Sequence, residues 1–193
     1  MNIAIYIYDE AEVLDFSGPF EVLSTAKRLA GNDWRVFFVA QHDTLVNARG
    51  GYGVNPHYCF QNHPPIDVLI VVGGVHTAEL NKPEVVDWIR AVARDASEVA
   101  SVCTGAFLLA KAGVVTDQSV TTHWEDIADL KAMFPALDVQ AHVRWVRSGH
   151  ITTSAGISAG IDMSLYLVSV LDSMALAERT ANQMEYDWNK TQQ

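Results

Sequence analysis

Glu98-Val99-Ala100-Ser101-Val102-Cys103-Thr104-Gly105-Ala106-Phe107-Leu108-Leu109-Ala110 passes from an apolar strand pattern to an apolar helix pattern with one cysteine at the junction. Val99 to Val102 is a short apolar run of the kind found in a strand buried inside a parallel sheet. Phe107 to Ala110 continues at helical spacing, with no breaker before Gly113. No loop separates the two, so Cys103 must occupy a tight, strained turn that only small neighbours tolerate. Ser101 and Gly105, two residues to either side, supply them. This is the pattern of a nucleophile elbow, which lifts a side chain out of the sheet at the start of a helix. A lone cysteine on an apolar strand is ordinarily a small core residue. Its place at a strand C-terminus before Thr-Gly-Ala favours the nucleophile instead, and the helix N-terminus is expected to favour thiolate over thiol.

Outward from this stretch, strand and helix patterns alternate. Asn2 to Tyr8 reads as a strand and Asp9 to Asp15 as a polar turn. A helix is expected from Ser17-Gly18-Pro19, with Ser17 as cap and Pro19 in the first turn. Trp34 to Ala40 is a second strand, and Val46 to Phe60 a hairpin or irregular excursion. Asp67 to Val72 is a buried strand ending in Gly73-Gly74, and Pro83 to Ala96 an amphipathic helix leading into the Cys103 strand. Ser119 to Trp124 reads as a short strand with an abrupt turn, followed by a helix over Glu125 to Phe134. Strands are expected over Val139 to Val146 and Ile151 to Thr153. A long helix opens at Gly156, and a last one covers Met174 to Met184. Such alternation implies right-handed βαβ crossovers and a mostly parallel sheet covered on both faces.

The composition narrows the functions. The chain has 193 residues, 49% of them hydrophobic, which suits one well-cored domain over 1–193. A net charge of -10 without a Lys/Arg cluster disfavours nucleic acid and anionic membranes as partners. No basic leader pattern precedes the first strand, and no apolar run approaches the roughly 20 residues of a membrane span. Two cysteines, Cys59 and Cys103, make no disulfide framework, and the expected location is the cytoplasm.

A thiolate needs a partner that moves protons. Asp15, after the first strand, falls on the same sheet edge as the Cys103 elbow, although a carboxylate there can equally be a cap or a solvated loop residue. Gly73-Gly74-Val75 and the Thr104 N–H could serve a developing anion. His123 follows a short strand that can run toward the same edge and is the remaining candidate. No spacing reads as a metal site, a P-loop or a dinucleotide fingerprint.

Ser101-Val102-Cys103-Thr104-Gly105-Ala106, Thr121-Thr122-His123-Trp124 and Ala155-Gly156-Ile157-Ser158-Ala159-Gly160-Ile161-Asp162 together resemble the ThiJ/PfpI superfamily, within the class I glutamine amidotransferase-like group. The nearest likeness is to its isocyanide hydratase branch and to the amidase-like sensor domains of AraC-type regulators. The resemblance runs from Asp15-Phe16-Ser17-Gly18-Pro19-Phe20-Glu21 to the final helices. It implies a flavodoxin-like three-layer α/β sandwich, usually a homodimer, with Cys103 as nucleophile, Asp15 as its acidic partner, and Gly74, Val75 and Thr104 lining an anion pocket. The protease branch has a histidine directly after the cysteine. Thr104 stands there in this chain, as in the hydratase branch.

The expected activity is therefore cysteine-dependent hydration or hydrolysis of a small organic substrate, with neither metal nor organic cofactor. The alternatives are a ligand sensor without turnover and a redox or stress-response protein using the same thiol. No helix-turn-helix pair follows the last helix pattern, which weighs toward the enzyme at this level of reading.

Overall fold

The computed structural model describes residues 1–191; residues 192 and 193, the last two of the expected domain, lie outside the described residues. The chain runs β1 (Asn2–Tyr6), α1 (Val13–Ala30), β2 (Arg35–Ala40), β3 (Val46–Ala48), β4 (Tyr52–Val54), β5 (Tyr58–Cys59) and β6 (Val68–Val71). It continues through α2 (Thr77–Leu80), α3 (Pro83–Asp95), β7 (Glu98–Val102), α4 (Gly105–Lys111), β8 (Ser119–Val120), α5 (Ile127–Met133) and β9 (Asp138–Val139). It closes with β10 (Trp145–Ser148), β11 (Ile151–Ser154), α6 (Ala159–Leu171) and α7 (Met174–Gln183).

Seven strands form the central sheet in the order β10-β11-β7-β6-β1-β2-β5. All pairings are parallel except that of β10 with β11. From β1 the chain steps outward to β2, whereas from β6 it steps the other way to β7. Right-handed crossovers therefore put α1 and α3 on opposite faces. Accordingly α1, α6 and α7 pack together, as do α2, α3 and α4. The chain has the three-layer α/β, flavodoxin-like architecture expected of it. Val68, Leu69, Ile70 and Val71 of β6 have no exposed surface, because helices cover both faces of the strand. Each such side chain contributes about 1.5–3 kcal/mol of burial free energy. The side on which the chain adds its next strand switches between β1 and β6, so a crevice opens at their C-terminal ends. Asp15, Gly73-Gly74 and Cys103 all follow strands that end at this edge.

Several boundaries differ from those expected. Helix α1 begins at Val13, so Ser17 is no cap; its hydroxyl donates to the Val13 carbonyl at 2.7 Å. Pro19 lies inside the helix, where it has no N–H for the Asp15 carbonyl. Early burial of Asp15 and Phe16 pulls the helix start forward. Val139 to Val146 is not one strand: the chain turns at His142, whose φ is 62°, between β9 and β10. Trp124–Asp126 forms a 3₁₀ turn before α5, and α6 starts at Ala159 because Ile157 takes φ 55°. The Val46 to Phe60 excursion resolves into the β3–β4 hairpin and the edge strand β5. Among the described residues no helix is long and apolar enough to cross a membrane.

Candidate active site

Cys103 joins β7 to α4 with φ at 55°, a left-handed conformation that costs a non-glycine residue about 1–3 kcal/mol. The surroundings hold it there. Its N–H donates to the Ser154 carbonyl of β11 at 3.2 Å, and its own carbonyl accepts from Thr122 Oγ1 at 2.9 Å. Gly105 lies so close to β6 that a Cβ would sit 2.1 Å from the Val71 carbonyl oxygen. A Cβ on Gly73 would meet the Thr104 nitrogen at 2.5 Å. Ser101 is fully buried and its hydroxyl has no partner, so its smallness rather than its polarity fits the turn.

Asp15 is fully buried and sits in the first turn of α1 rather than before it. Gly73 N–H donates to its Oδ2 at 3.1 Å. Oδ1 has no hydrogen bond of good geometry, although the Cys103 thiol and the Ile157 N–H lie near enough to favour the charged carboxylate. Burial dominates: it raises Asp15 to about 7, with the Glu12 charge adding to the rise and the Gly73 N–H opposing it.

Burial also pushes the Cys103 thiol well above its ordinary range, and the Asp15 carboxylate beside it pushes the same way. The Thr104 N–H opposes the rise, and the Asp126 charge adds to it. A thiolate favoured by the helix terminus is thus overturned. Helix α4 has only seven residues, and its effect is smaller than desolvation beside a carboxylate. Asp15 and Cys103 behave as a pair. A proton passed from the sulfur to Asp15 removes the repulsion between thiolate and carboxylate, while the cost of burying the charged sulfur remains.

Gly74, Val75 and Thr104 all border the cleft, with Gly74 N–H donating to Thr104 Oγ1 at 3.0 Å and Val75 N–H to the Glu10 carbonyl at 3.1 Å. Thr104 N–H is directed toward the Cys103 sulfur and Ile157 N–H toward Asp15. Ile157 had no signal of its own, since a β-branched residue is a poor choice for positive φ. Tyr8 was missed as well. It is buried beside Asp15 and Cys103, and its hydroxyl donates to the Val72 carbonyl at 3.3 Å.

His123 lies on the same cleft as Cys103, a space of about 290 Å³. Its Nδ1 accepts from Glu125 N–H at 3.4 Å and lies 3.5 Å from Asp126 Oδ2. Its ring packs onto Gly156, where a Cβ would come within 1.9 Å. Among the described residues no group of three or more His, Cys, Asp or Glu side chains is disposed to hold a metal ion.

Comparison with known proteins places this geometry. An isonitrile (isocyanide) hydratase from Pseudomonas putida is 33% identical over 187 residues, covering 96% of this chain and 78% of that protein. The HTH-type transcriptional regulator GbdR of Pseudomonas aeruginosa is 26% identical over 96% of this chain, which spans only 53% of the regulator's length. The crystal structure of a ThiJ/PfpI family protein from Pseudomonas syringae superimposes with a TM-score of 0.87 at 27% identity, covering 97% of this chain and 76% of that one. The model of the DJ-1/PfpI family matches residues 1–170, and the chain belongs to that family.

Proposed function

We propose that the chain is a cysteine-dependent hydratase of a small organic isocyanide, yielding the N-formamide. The observation that carries this reading is the pairing of Cys103, held at positive φ on the elbow, with a buried Asp15 raised to about 7. In this scheme the Asp15 carboxylate takes the thiol proton as the Cys103 sulfur attacks the terminal carbon of R–N≡C, and Asp15 then gives that proton to the same carbon. The product is a thioimidate, R–N=CH–S–Cys103. The Asp15 carboxylate then takes a proton from water as the water oxygen adds to the same carbon. Collapse expels the sulfur as the hydroxyl proton passes to the nitrogen, the proton on Asp15 returns to the thiolate, and R–NH–CHO leaves with Cys103 and Asp15 restored. The N–H groups of Thr104 and Ile157 hold the negative charge as it moves between sulfur and carboxylate. His123 is a second candidate for positioning the water.

The similarity to a protein named isonitrile hydratase over nearly the whole chain supports the reading. The similarity to regulators favours a second one, in which the same pocket binds a ligand without turnover. A homodimer belongs to the proposal and is read by light scattering. Incubation with cyclohexyl isocyanide and mass spectrometry for the formamide tests the reaction. Formamide at the rate of a no-enzyme control would end the hydratase reading.

A further inference from the structure

The cleft above Cys103 does not end at the thiol. His76, Thr77 and Asp126 also border a second recess of about 540 Å³, walled by Leu80 of α2, Phe107 of α4, and Ala132 and Met133 of α5. The two spaces adjoin across these three residues, and the far wall of the recess is apolar.

Charge at the junction has one sign. Glu12, Glu125 and Asp126 line the cleft, and Asp129 lines the recess. The lysine and arginine side chains contribute only Arg49 to either lining, and its Nη1 lies 3.3 Å from Glu12 Oε2. His76 does not offset the acids. Its ring centroid lies 4.5 Å from that of Phe107, and burial lowers its basicity against the opposing pull of Gly74, Asp126 and Asp129. Asp126 caps α5 without a hydrogen bond from its own side chain to the helix, and its Oδ2 lies 3.5 Å from His123 Nδ1 on the cleft wall.

Resting on the hydratase reading of the thiol, we infer that the substrate's substituent is apolar and either neutral or cationic, and that it lies over Thr77 in the recess between α2, α4 and α5. An anionic substituent would be held among like charges inside one Debye length, about 8 Å at physiological ionic strength. A trimethylammonium or protonated amine meets Asp126 and Asp129 instead. The discrimination is a property of the walls and does not depend on what the thiol does next.

The test has an arm independent of turnover. Two methanethiosulfonates of equal length, one ending in trimethylammonium and one in sulfonate, react with Cys103. The sulfur forms a mixed disulfide, methanesulfinate leaves, and the thiol proton passes to buffer; mass spectrometry of the Cys103 peptide gives each rate. Each rate is divided by that reagent's rate with free 2-mercaptoethanol, and on that scale the cationic reagent is expected to be faster by about ten-fold. The ratio should shrink several-fold in an Asp126→Asn/Asp129→Asn variant, and also in roughly 1 M salt, where screening acts within about 3 Å. Equal rates, or a faster anion, overturn the charge inference. For the recess, Ala132→Trp is expected to slow alkylation of Cys103 by N-phenyl iodoacetamide several-fold more than by iodoacetamide itself; equal slowing overturns that assignment. The second arm compares formamide formation from phenyl isocyanide, 4-isocyanobenzoate and 4-(trimethylammonio)phenyl isocyanide, with the benzoate expected to be slowest. If none of the three is turned over, the hydratase reading fails, while the labelling ratios still decide the inference.

Discussion

Cys103 and Cys59 are equally buried, each 7% exposed, yet the fold treats the two thiols in opposite ways. Cys59 ends the edge strand β5 in relaxed backbone, its N–H donating to Asn62 Oδ1 at 2.8 Å and its sulfur to Gln61 Oε1 at 3.1 Å. Cys103 is forced to positive φ and set against the buried carboxyl of Asp15 and the N–H of Thr104. Exposure therefore does not distinguish the two thiols. Backbone strain and a carboxyl neighbour do, and that neighbour is at hand because β1, β6 and β7 end at one edge of the sheet.

The largest effect should separate the cysteines themselves. Cys103→Ala is expected to abolish formamide production while Cys59→Ala retains it, with both variants folded by circular dichroism. A Cys103→Ala enzyme of wild-type kcat would remove the nucleophile from the elbow.

Asp15→Asn probes what Cys59 lacks. Loss of the acid and base should lower kcat by about 10²–10⁴-fold, since an amide keeps the shape of the carboxyl but moves no proton. A kcat within a few-fold of wild type would assign the proton transfers elsewhere, with His123 the next group to replace.

The same carboxyl should be visible in stability. Between about pH 4 and pH 7 the native chain retains a proton on Asp15 that the unfolded chain has released, because the native value is about 7 against 3.8. The native state thus binds more protons in that window, and stability falls as pH rises through it. A rise of this size corresponds to about 4 kcal/mol, present in full below pH 4 and lost above pH 7. Denaturant titrations of wild type and Asp15→Asn should accordingly show the variant gaining relative stability from pH 4 to pH 8. A difference that stays constant across that range would show that Asp15 ionises normally.

The smallest effect contrasts the packing of the two regions. Gly105→Ala drives a Cβ into the Val71 carbonyl and should cost about 3 kcal/mol or more. Gly53→Ala, in the β3–β4 hairpin outside the central sheet, meets only the Leu45 side chain, at 3.4 Å. It should cost under about 1 kcal/mol. Equal melting temperatures for the two variants would mean that the elbow relaxes in a way its close contacts do not allow.

The order of strands and helices was legible because a buried parallel strand must be apolar on both faces and an amphipathic helix on one, and both periods survive in the residues. Glu98 to Ala110 alone contained the strand, the tight turn and the helix. Local capping was less legible: Ser17 has the chemistry of a cap, but burial of Asp15 and Phe16 starts α1 at Val13. The Val46 to Phe60 segment stayed unreadable because its short strands are defined by pairing with each other and with the edge of β2.

The residue types at the site were written in the sequence, whereas their protonation and the donors that serve them were decided by tertiary packing. Desolvation depends on what covers a group in space, so a cysteine at a helix start and an aspartate near a turn both became much weaker acids. Backbone N–H groups are anonymous in a sequence. Only the fold commits those of Gly74 and Val75 to Thr104 and Glu10 and turns that of Ile157 toward Asp15, because each commitment joins residues brought together by separate strands of the sheet.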